Sequence, residues 1–165
     1  MGGFVGGDGR VVLQQVAELI QADWKALDIE VTLEAVPADK FVSDKLESHA
    51  YQAALVDIDL SSSPDPDPYP FWDQGQIAGG QNYSQWNDRT VSDTLEQARV
   101  STSMVERTRL YHNFQYLFAD QLPALPLYYP VYNYAVSKDV QGVSIGPLFN
   151  MSDRFTFITD WHMVS

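Results

Sequence analysis

The segment LQQVAELIQADWKALDIEVTLEA, residues 13–35, decides the fold class. In its first part, apolar side chains recur at steps of three and four: Leu13, Val16, Ile20, Trp24 and Leu27. That spacing predicts an amphipathic helix of about four turns. From 29 to 35 apolar and polar residues alternate, which predicts a half-buried strand. A helix followed at once by a strand indicates an α/β fold.

The rest of the chain continues this mixture of helices and strands. A helix capped by Asp39 is predicted over 39–48, followed by a short buried strand over 53–56. Two more helices are predicted, one over 91–99 and one that begins at a capping box, Ser103 to Glu106, and ends before Pro123. Aromatic and β-branched residues near the end predict strands over 125–129 and 131–136 and a last strand that begins at 155–158, near Trp161.

The composition excludes several classes of function. The chain has 165 residues and a formal net charge of −12, so nucleic acids and anionic lipid would repel it. It has no cysteine, which excludes disulfides and thiolate chemistry. No apolar run reaches the roughly 18 residues of a membrane helix, so membrane insertion is not expected. Length and 45% hydrophobic content favour one compact unit over residues 1–165.

Residues 60–89 form a long loop that combines prolines and glycines with large aromatic side chains. About thirty residues without a regular pattern are too many for a simple connector, and the aromatic content favours an ordered loop. The aromatic residues are Tyr69, Phe71, Trp72, Tyr83 and Trp86. They suit stacking on a small amphipathic ligand. They equally suit a local core that holds the loop in place.

A group of aspartates, Asp57, Asp59, Asp65 and Asp67, follows the predicted strand over 53–56. Open α/β sheets bind ligands at this edge. Three interpretations stay open: turn residues that suit X-Pro geometry, polar contacts to a ligand, and a metal or catalytic carboxylate pair. Turn chemistry is favoured among them.

Catalytic signatures are absent: the sequence has no Gly-rich phosphate loop, HExxH, GxSxG or dinucleotide fingerprint. The histidines, His49, His112 and His162, stand apart from one another and are interpreted as surface or capping residues. The sequence therefore predicts that the protein is not an enzyme and has no catalytic residue, metal site or cofactor.

Short motifs follow one another in a specific order along the chain. They are GDGR (7–10), LDIEV (27–31), YQAA (51–54), PDPDPYPFW (64–72), GQNY (80–83), WN (86–87), SD (92–93), EQAR (96–99), RTRLY (107–111), LPALPLY (122–128) and VQGV (140–143). In this order they resemble the extracellular solute-binding proteins of family 5, the peptide and nickel class of ABC importer receptors. Each motif alone is weak, but the ordered series is specific and spans nearly the whole chain.

The resemblance implies a periplasmic-binding-protein type II fold, in which two lobes close on a ligand. Residues 1–165 look like most of the C-terminal lobe, an α/β unit with a mixed sheet flanked by helices and with 60–89 as a loop within it. The N-terminal lobe is expected to be missing. Phe4 and Val5 would be the tail of the truncated first strand, expected to remain as an in-register stump or to pair with another chain.

One departure from the family bears on specificity. Peptide-binding relatives often carry Trp-x-x-Asp after the third strand, where the aspartate holds the ligand's α-amino group, whereas this chain has DIDLSSS at 57–63. Asp57 or Asp59 is the expected substitute. The expected ligand-binding residues are Asp57, Asp59, Tyr69, Trp72, Asn82, Tyr83 and Trp86.

The resemblance thus implies a lobe that binds peptide-like solutes for delivery to ABC permease subunits. Its implied location is outside the cytoplasm, in the periplasm or anchored at the cell surface. An oligosaccharide receptor of the same family is the alternative, because aromatic rings also stack on sugars. Two other classes stay open: a carboxylate-dependent glycoside hydrolase, and an interaction domain whose aromatic loop docks a protein partner.

Overall fold

The computed structural model describes residues 10–58, 60, 67–129, 133–148 and 151–164. They fall into two compact units. The first unit contains residues 10–58 and 68–123, and the second contains the described parts of 59–67 and 124–165. The single lobe over 1–165 remains a prediction. Phe4 and Val5 lie outside the described residues.

The predicted first helix is confirmed, since α1 spans Arg10–Lys25. The chain reverses after it through Asp28, whose φ of 59° lies in the left-handed region that aspartate tolerates. Gln21 Nε2 donates a 2.7 Å hydrogen bond to the Val31 carbonyl and holds the following extended segment beside the helix. Leu27, predicted to continue the apolar stripe, lies beyond the helix and is 71% exposed.

The second helical segment is α2 (Ala38–Phe41), which continues into a π-helical turn over Val42–Leu46. A helix is therefore present where one was predicted, but the predicted cap at Asp39 is wrong. Pro37 occupies the N-cap position, because its fixed φ suits the start of a helix. This cap includes no side-chain hydrogen bond. Val36, Phe41 and Leu46 are buried here and are called the N-terminal cluster.

The helix pair α4 (Arg89–Val100) and α5 (Met104–Gln121) confirms both predicted helices. Each begins with a side-chain cap: Asp88 accepts a hydrogen bond from Val91 N at 3.0 Å, and Ser103 Oγ accepts one from Glu106 N at 3.3 Å. α5 ends at Leu122, which adopts a left-handed φ of 49° immediately before Pro123. The two helices pack against each other.

Large aromatic rings form the core of the first unit between α3 (Tyr69–Trp72), α4 and α5. The aromatic cluster consists of Trp72, Trp86, Phe114 and Phe118. The rings of Trp72 and Phe118 meet edge-on with centroids 4.9 Å apart, and those of Trp86 and Phe118 do so at 5.8 Å. Each such contact is worth about 0.5–1.5 kcal/mol beyond the burial of area, so this cluster stabilises the unit substantially.

The second unit contains a small antiparallel pair, β1 (Val140–Gln141) and β2 (His162–Met163), with Val140 opposite Met163. The predicted start of the last strand at 155–158 is wrong, because 3₁₀ turns over Met151–Phe155 and Ile158–Asp160 occupy this region, and β2 next to Trp161 begins only at His162. The hydroxyl and the N–H of Thr156 both donate to the Asp153 carbonyl, and such local hydrogen bonds favour a turn over a strand.

The other predicted strands are largely unpaired in the residues that the structure describes. Leu33 and Leu55 each form an isolated β-bridge, whereas 125–129 and 133–136 have no strand assignment. Alternating or β-branched residues specify an extended backbone and an apolar face, but they do not specify which strand lies alongside. The paired sheet among the described residues is therefore shorter than predicted.

Candidate functional site

The predicted loop over 60–89 is described from residue 67 and is built of short helical turns. α3 begins after Pro68 and has a second proline in its first turn, where the missing N–H costs no helical hydrogen bond. A 3₁₀ turn over Gln74–Gln76 follows. Residues 67–88 are called the aromatic loop.

Asn82 is the centre of the aromatic loop and is completely buried. Its Nδ2 donates to the carbonyls of Asp73 at 3.0 Å and Trp86 at 2.9 Å. Its Oδ1 accepts from Trp86 N at 3.1 Å and from Ser84 Oγ at 3.0 Å. The polar atoms of this predicted ligand-binding residue are thus engaged within the loop itself.

Asp73 is a buried carboxylate that the sequence analysis missed. It is 2% exposed, and its Oδ1 accepts a 2.7 Å hydrogen bond from Gly75 N, while its Oδ2 has no hydrogen-bond partner. The next residue, Gln74, donates its N–H to the hydroxyl of buried Ser92 in α4. An aspartate two residues before a glycine is typical of an Asx turn, and this signal could have found it.

Trp86 links the loop to the end of α5 and, through Gln121, to the start of α4. The side chain belongs to the aromatic cluster, and its Nε1 donates to Gln121 Oε1 at 2.7 Å. Gln121 Nε2 in turn donates to Asp88 Oδ2 at 2.8 Å. The pKa of Asp88 is lowered, chiefly by this hydrogen bond from Gln121 and next by the one from Val91 N.

Tyr69 and Trp72 lie on the same short helix, α3, and pack at the edge of the aromatic cluster. The Arg99 guanidinium lies 4.3 Å from the centroid of the Tyr69 ring, so a cation already covers one of its faces. Trp72 contacts Trp86 edge-on at 6.3 Å between ring centroids. The structure therefore brings Tyr69, Trp72 and Trp86 together, as a packed core.

Tyr83 attaches the aromatic loop to the N-terminal cluster. Its ring packs against that cluster, and its carbonyl accepts a hydrogen bond from the Tyr51 hydroxyl. Burial raises the pKa of Tyr83, and the nearby negative charge of Glu47 raises it further. Burial also raises the pKa of Tyr51, with a smaller effect from Tyr83. The two half-buried tyrosines and Glu47 form an acidic, aromatic edge of the first unit.

The predicted carboxylates are only partly described. Asp57 is exposed and directly follows Val56, which packs against the N-terminal cluster. Asp67 is half-buried, and Asp59 and Asp65 lie outside the described residues. Of the histidines, His112 and His162 are exposed, while half-buried His49 has its Nε2 3.4 Å from the Ile77 carbonyl oxygen.

The described residues show neither a cluster of metal-ligating side chains nor a helix suited to cross a membrane. No three side chains of the metal-ligating types converge in the described ranges. In that same part of the chain, no helix combines the length and the apolar character needed to cross a bilayer.

Comparison with known proteins finds relatives of one kind. No family model matches the chain. Di/tripeptide-binding protein 2 of Pseudomonas aeruginosa is 28% identical over 140 residues, which cover 81% of this chain and 25% of the relative. The probable ABC transporter periplasmic-binding protein SapA of Escherichia coli is also 28% identical over 140 residues, 84% of this chain and 25% of the relative. The chain spans about a quarter of the length of these relatives.

A solved structure agrees with these relatives. The oligopeptide-binding protein AppA from Bacillus subtilis, in complex with a nonapeptide, matches 99% of this chain with a TM-score of 0.75 and 20% identity, and the chain covers 31% of it. The periplasmic-binding-protein type II fold expected from the sequence is thereby confirmed. The proteins that this chain resembles are di/tripeptide-binding, oligopeptide-binding and ABC transporter periplasmic-binding proteins. The resemblance indicated by the ordered motifs is therefore confirmed: this chain is similar to the peptide-binding members of the family 5 solute-binding proteins of ABC importers.

Proposed function

We propose that this chain is the C-terminal, solute-binding lobe of an ABC importer receptor and binds peptide-like solutes outside the cytoplasm. The observation that carries the proposal is the similarity, over about four-fifths of the chain, to a di/tripeptide-binding protein and to a periplasmic-binding protein. The fold shared with peptide-bound AppA supports it. An N-terminal lobe and the permease subunits of an importer are the partners in this proposal.

Two of the groups that would face the ligand, Asp57 and Tyr83, belong to the first unit, where Val56 and Tyr83 both pack against the N-terminal cluster. Asp57 is exposed there and would pair with the α-ammonium group of a peptide, since a charge-assisted hydrogen bond suits that cation. Tyr83 is half-buried and would offer its ring and hydroxyl. Asp59, two residues beyond Asp57, is the second carboxylate of the proposal.

The remaining predicted residues would serve this site by shaping the loop. Trp72, Asn82 and Trp86 are held by contacts within the first unit, and the ring of Tyr69 is partly covered by Arg99. In the proposal, these residues fix the conformation of the loop that carries Tyr83.

Two-lobe closure sets the affinity expected of this chain. When ligand contacts to both lobes favour the closed form, one lobe provides only part of the binding free energy. The net charge of −12 adds long-range attraction for the cationic end of a peptide but little specificity. The chain by itself should therefore bind peptides more weakly than micromolar.

The test is a ¹⁵N NMR titration of the 165-residue chain with three ligands: Ala-Ala-Ala, N-acetyl-Ala-Ala-Ala and maltotriose. Ala-Ala-Ala is expected to shift the resonances of residues 56–58 and 82–86. The acetylated peptide should do so less, because it lacks the ammonium group. Asp57→Asn, which is nearly isosteric and uncharged, should remove the difference between the two peptides.

Each contrary result points to a specific alternative. Shifts with maltotriose and none with either peptide would replace the proposal with an oligosaccharide receptor. Release of nitrophenol from aryl glycosides would favour the glycoside hydrolase. A peptide dissociation constant of micromolar or below would contradict the need for a second lobe.

A further inference from the structure

We infer that Asp73 and Asn82 are positioning residues of the peptide site: their buried hydrogen bonds fix the turn over 82–86 and thereby set the place of Tyr83. The consequence for peptide affinity rests on the proposed function. The consequence for Tyr83 can be measured without any ligand.

Asn82 closes the turn with one side chain. It bonds to both the N–H and the carbonyl of Trp86, at 3.1 Å and 2.9 Å, and its Oδ1 also accepts from Ser84 Oγ. Gln85 lies within this turn at a φ of 57°, a conformation that residues other than glycine seldom adopt. The side-chain hydrogen bonds of Asn82 help to hold the backbone there against that cost, together with the bond from Gln85 N to the Asn82 carbonyl at 3.1 Å and the bond from Trp86 N to Ser84 Oγ at 3.3 Å.

Asp73 connects this turn to the helices. Its carbonyl accepts the remaining Nδ2 hydrogen bond of Asn82 at 3.0 Å, and its Oδ1 fixes the following 3₁₀ turn through Gly75 N. Gln74 N donates to buried Ser92 at 2.9 Å, so the same backbone is attached to α4. The position of Asn82 is thus determined by α3 and α4.

Tyr83 lies inside the turn, so the hydrogen bonds of Asp73 and Asn82 also restrict the position of Tyr83. At the end of the turn, Trp86 is fixed in the aromatic cluster. The carbonyl of Tyr83, the residue after Asn82, accepts a hydrogen bond from the Tyr51 hydroxyl. The Tyr83 ring then packs against the N-terminal cluster near Glu47. Loss of the Asn82 hydrogen bonds releases the turn between its two attachments and shifts the ring.

Three substitutions separate the contributions. Asn82→Ala removes the four hydrogen bonds of the Asn82 side chain and keeps the 3.3 Å hydrogen bond from Trp86 N to Ser84 Oγ. Asp73→Ala removes the acceptor for Gly75 N. Asp73→Asn keeps the Oδ1 acceptor for Gly75 N and replaces Oδ2 by an amide nitrogen. Since Oδ2 has no hydrogen-bond partner, this replacement breaks no hydrogen bond. Leu110→Ala, at a buried position of α5 outside this network, is the matched destabilising control.

The first readout is the pKa of Tyr83, followed by NMR of ¹³Cζ-labelled tyrosine and assigned with Tyr83→Phe. Asn82→Ala and Asp73→Ala are expected to lower this pKa towards the ordinary value of 10.0, because the ring leaves its half-buried place. Asp73→Asn, which removes the same charge as Asp73→Ala, and Leu110→Ala are expected to leave it unchanged. If Asn82→Ala leaves the Tyr83 pKa unchanged, or if Leu110→Ala shifts it equally, the inference is overturned; Asp73→Ala decides if Asn82→Ala does not fold.

The second readout is the affinity for Ala-Ala-Ala in the NMR titration. Asn82→Ala is expected to weaken it about tenfold, the effect of losing roughly one net hydrogen bond, and Leu110→Ala is expected to leave it unchanged. If Tyr83 shifts while affinity does not change, the positioning of a binding residue is overturned. If wild type binds no peptide, the proposed function fails, and the Tyr83 titration still decides whether Asp73 and Asn82 position this ring.

Discussion

Trp86 provides the sharpest test of how the first unit is held together. Trp86→Ala removes a side chain that is 9% exposed and that contacts Trp72, Phe114 and Phe118. Truncation of a buried aromatic residue costs about 3–5 kcal/mol. Loss of the indole N–H also leaves Gln121 Oε1 without its 2.7 Å hydrogen bond, which adds about 1 kcal/mol. We therefore expect about 4–6 kcal/mol, close to the whole stability of many small domains.

The assay is urea denaturation at 25 °C, followed by far-UV circular dichroism. Trp86→Phe should cost much less than Trp86→Ala, because the ring contacts persist while the hydrogen bond to Gln121 is lost. Tyr116→Ala is the control, since Tyr116 is 77% exposed on α5 and its loss should change stability little. A cost below about 1 kcal/mol for Trp86→Ala would refute the view that the aromatic cluster is the core of this unit.

Three further predictions concern charge and helix ends. The pKa of Asp88 is lowered, so its charged form contributes stability above the ordinary value of 3.8 that is lost as pH falls through the lower folded pKa. Wild type should consequently lose more thermal stability than Asp88→Asn between about pH 5 and pH 2, and equal losses would contradict this. Arg107→Ala should cost about 1 kcal/mol in urea denaturation, because Arg107 Nη1 donates to the Ala98 carbonyl near the end of α4 at 2.9 Å. The matched Arg109→Ala, which breaks an exposed pair with Glu106, should change stability little. If Arg109→Ala costs more stability than Arg107→Ala, the view that Arg107 is the more stabilising residue is wrong. Raising NaCl from about 0.05 M to about 0.5 M should raise the Tm, because the salt screens the repulsion within a chain of net charge −12; a falling Tm would show that attractive pairs dominate.

Periodicity predicted the helices well and the strands poorly. α1, α4 and α5 are long enough for apolar spacing and caps to identify them, as the cap at Ser103 illustrates. A helix satisfies its own backbone hydrogen bonds, so local sequence suffices. A strand needs a neighbour, and nothing in the alternation over 29–35 specifies that neighbour.

The sequence located the candidate site, but it did not separate the residues that hold the loop from those that could contact a ligand. The aromatic loop was predicted to be ordered, with stacking on a ligand and a local core as equal alternatives. The contacts of Trp72 and Trp86 place these rings in a core. Trp86 is expected at the ligand as a stacking ring and Asn82 as part of a family motif, yet their polar groups bond to each other's residues and to Gln121. Such pairing depends on tertiary contacts between residues up to 35 positions apart, which spacing alone cannot reveal.

The most direct test of the central claim is the NMR titration of the unmodified chain with Ala-Ala-Ala. The account predicts saturable shifts, weaker than micromolar in affinity, that are concentrated at residues 56–58 and 82–86. It is contradicted if Ala-Ala-Ala at high millimolar concentration shifts none of these resonances while maltotriose shifts them.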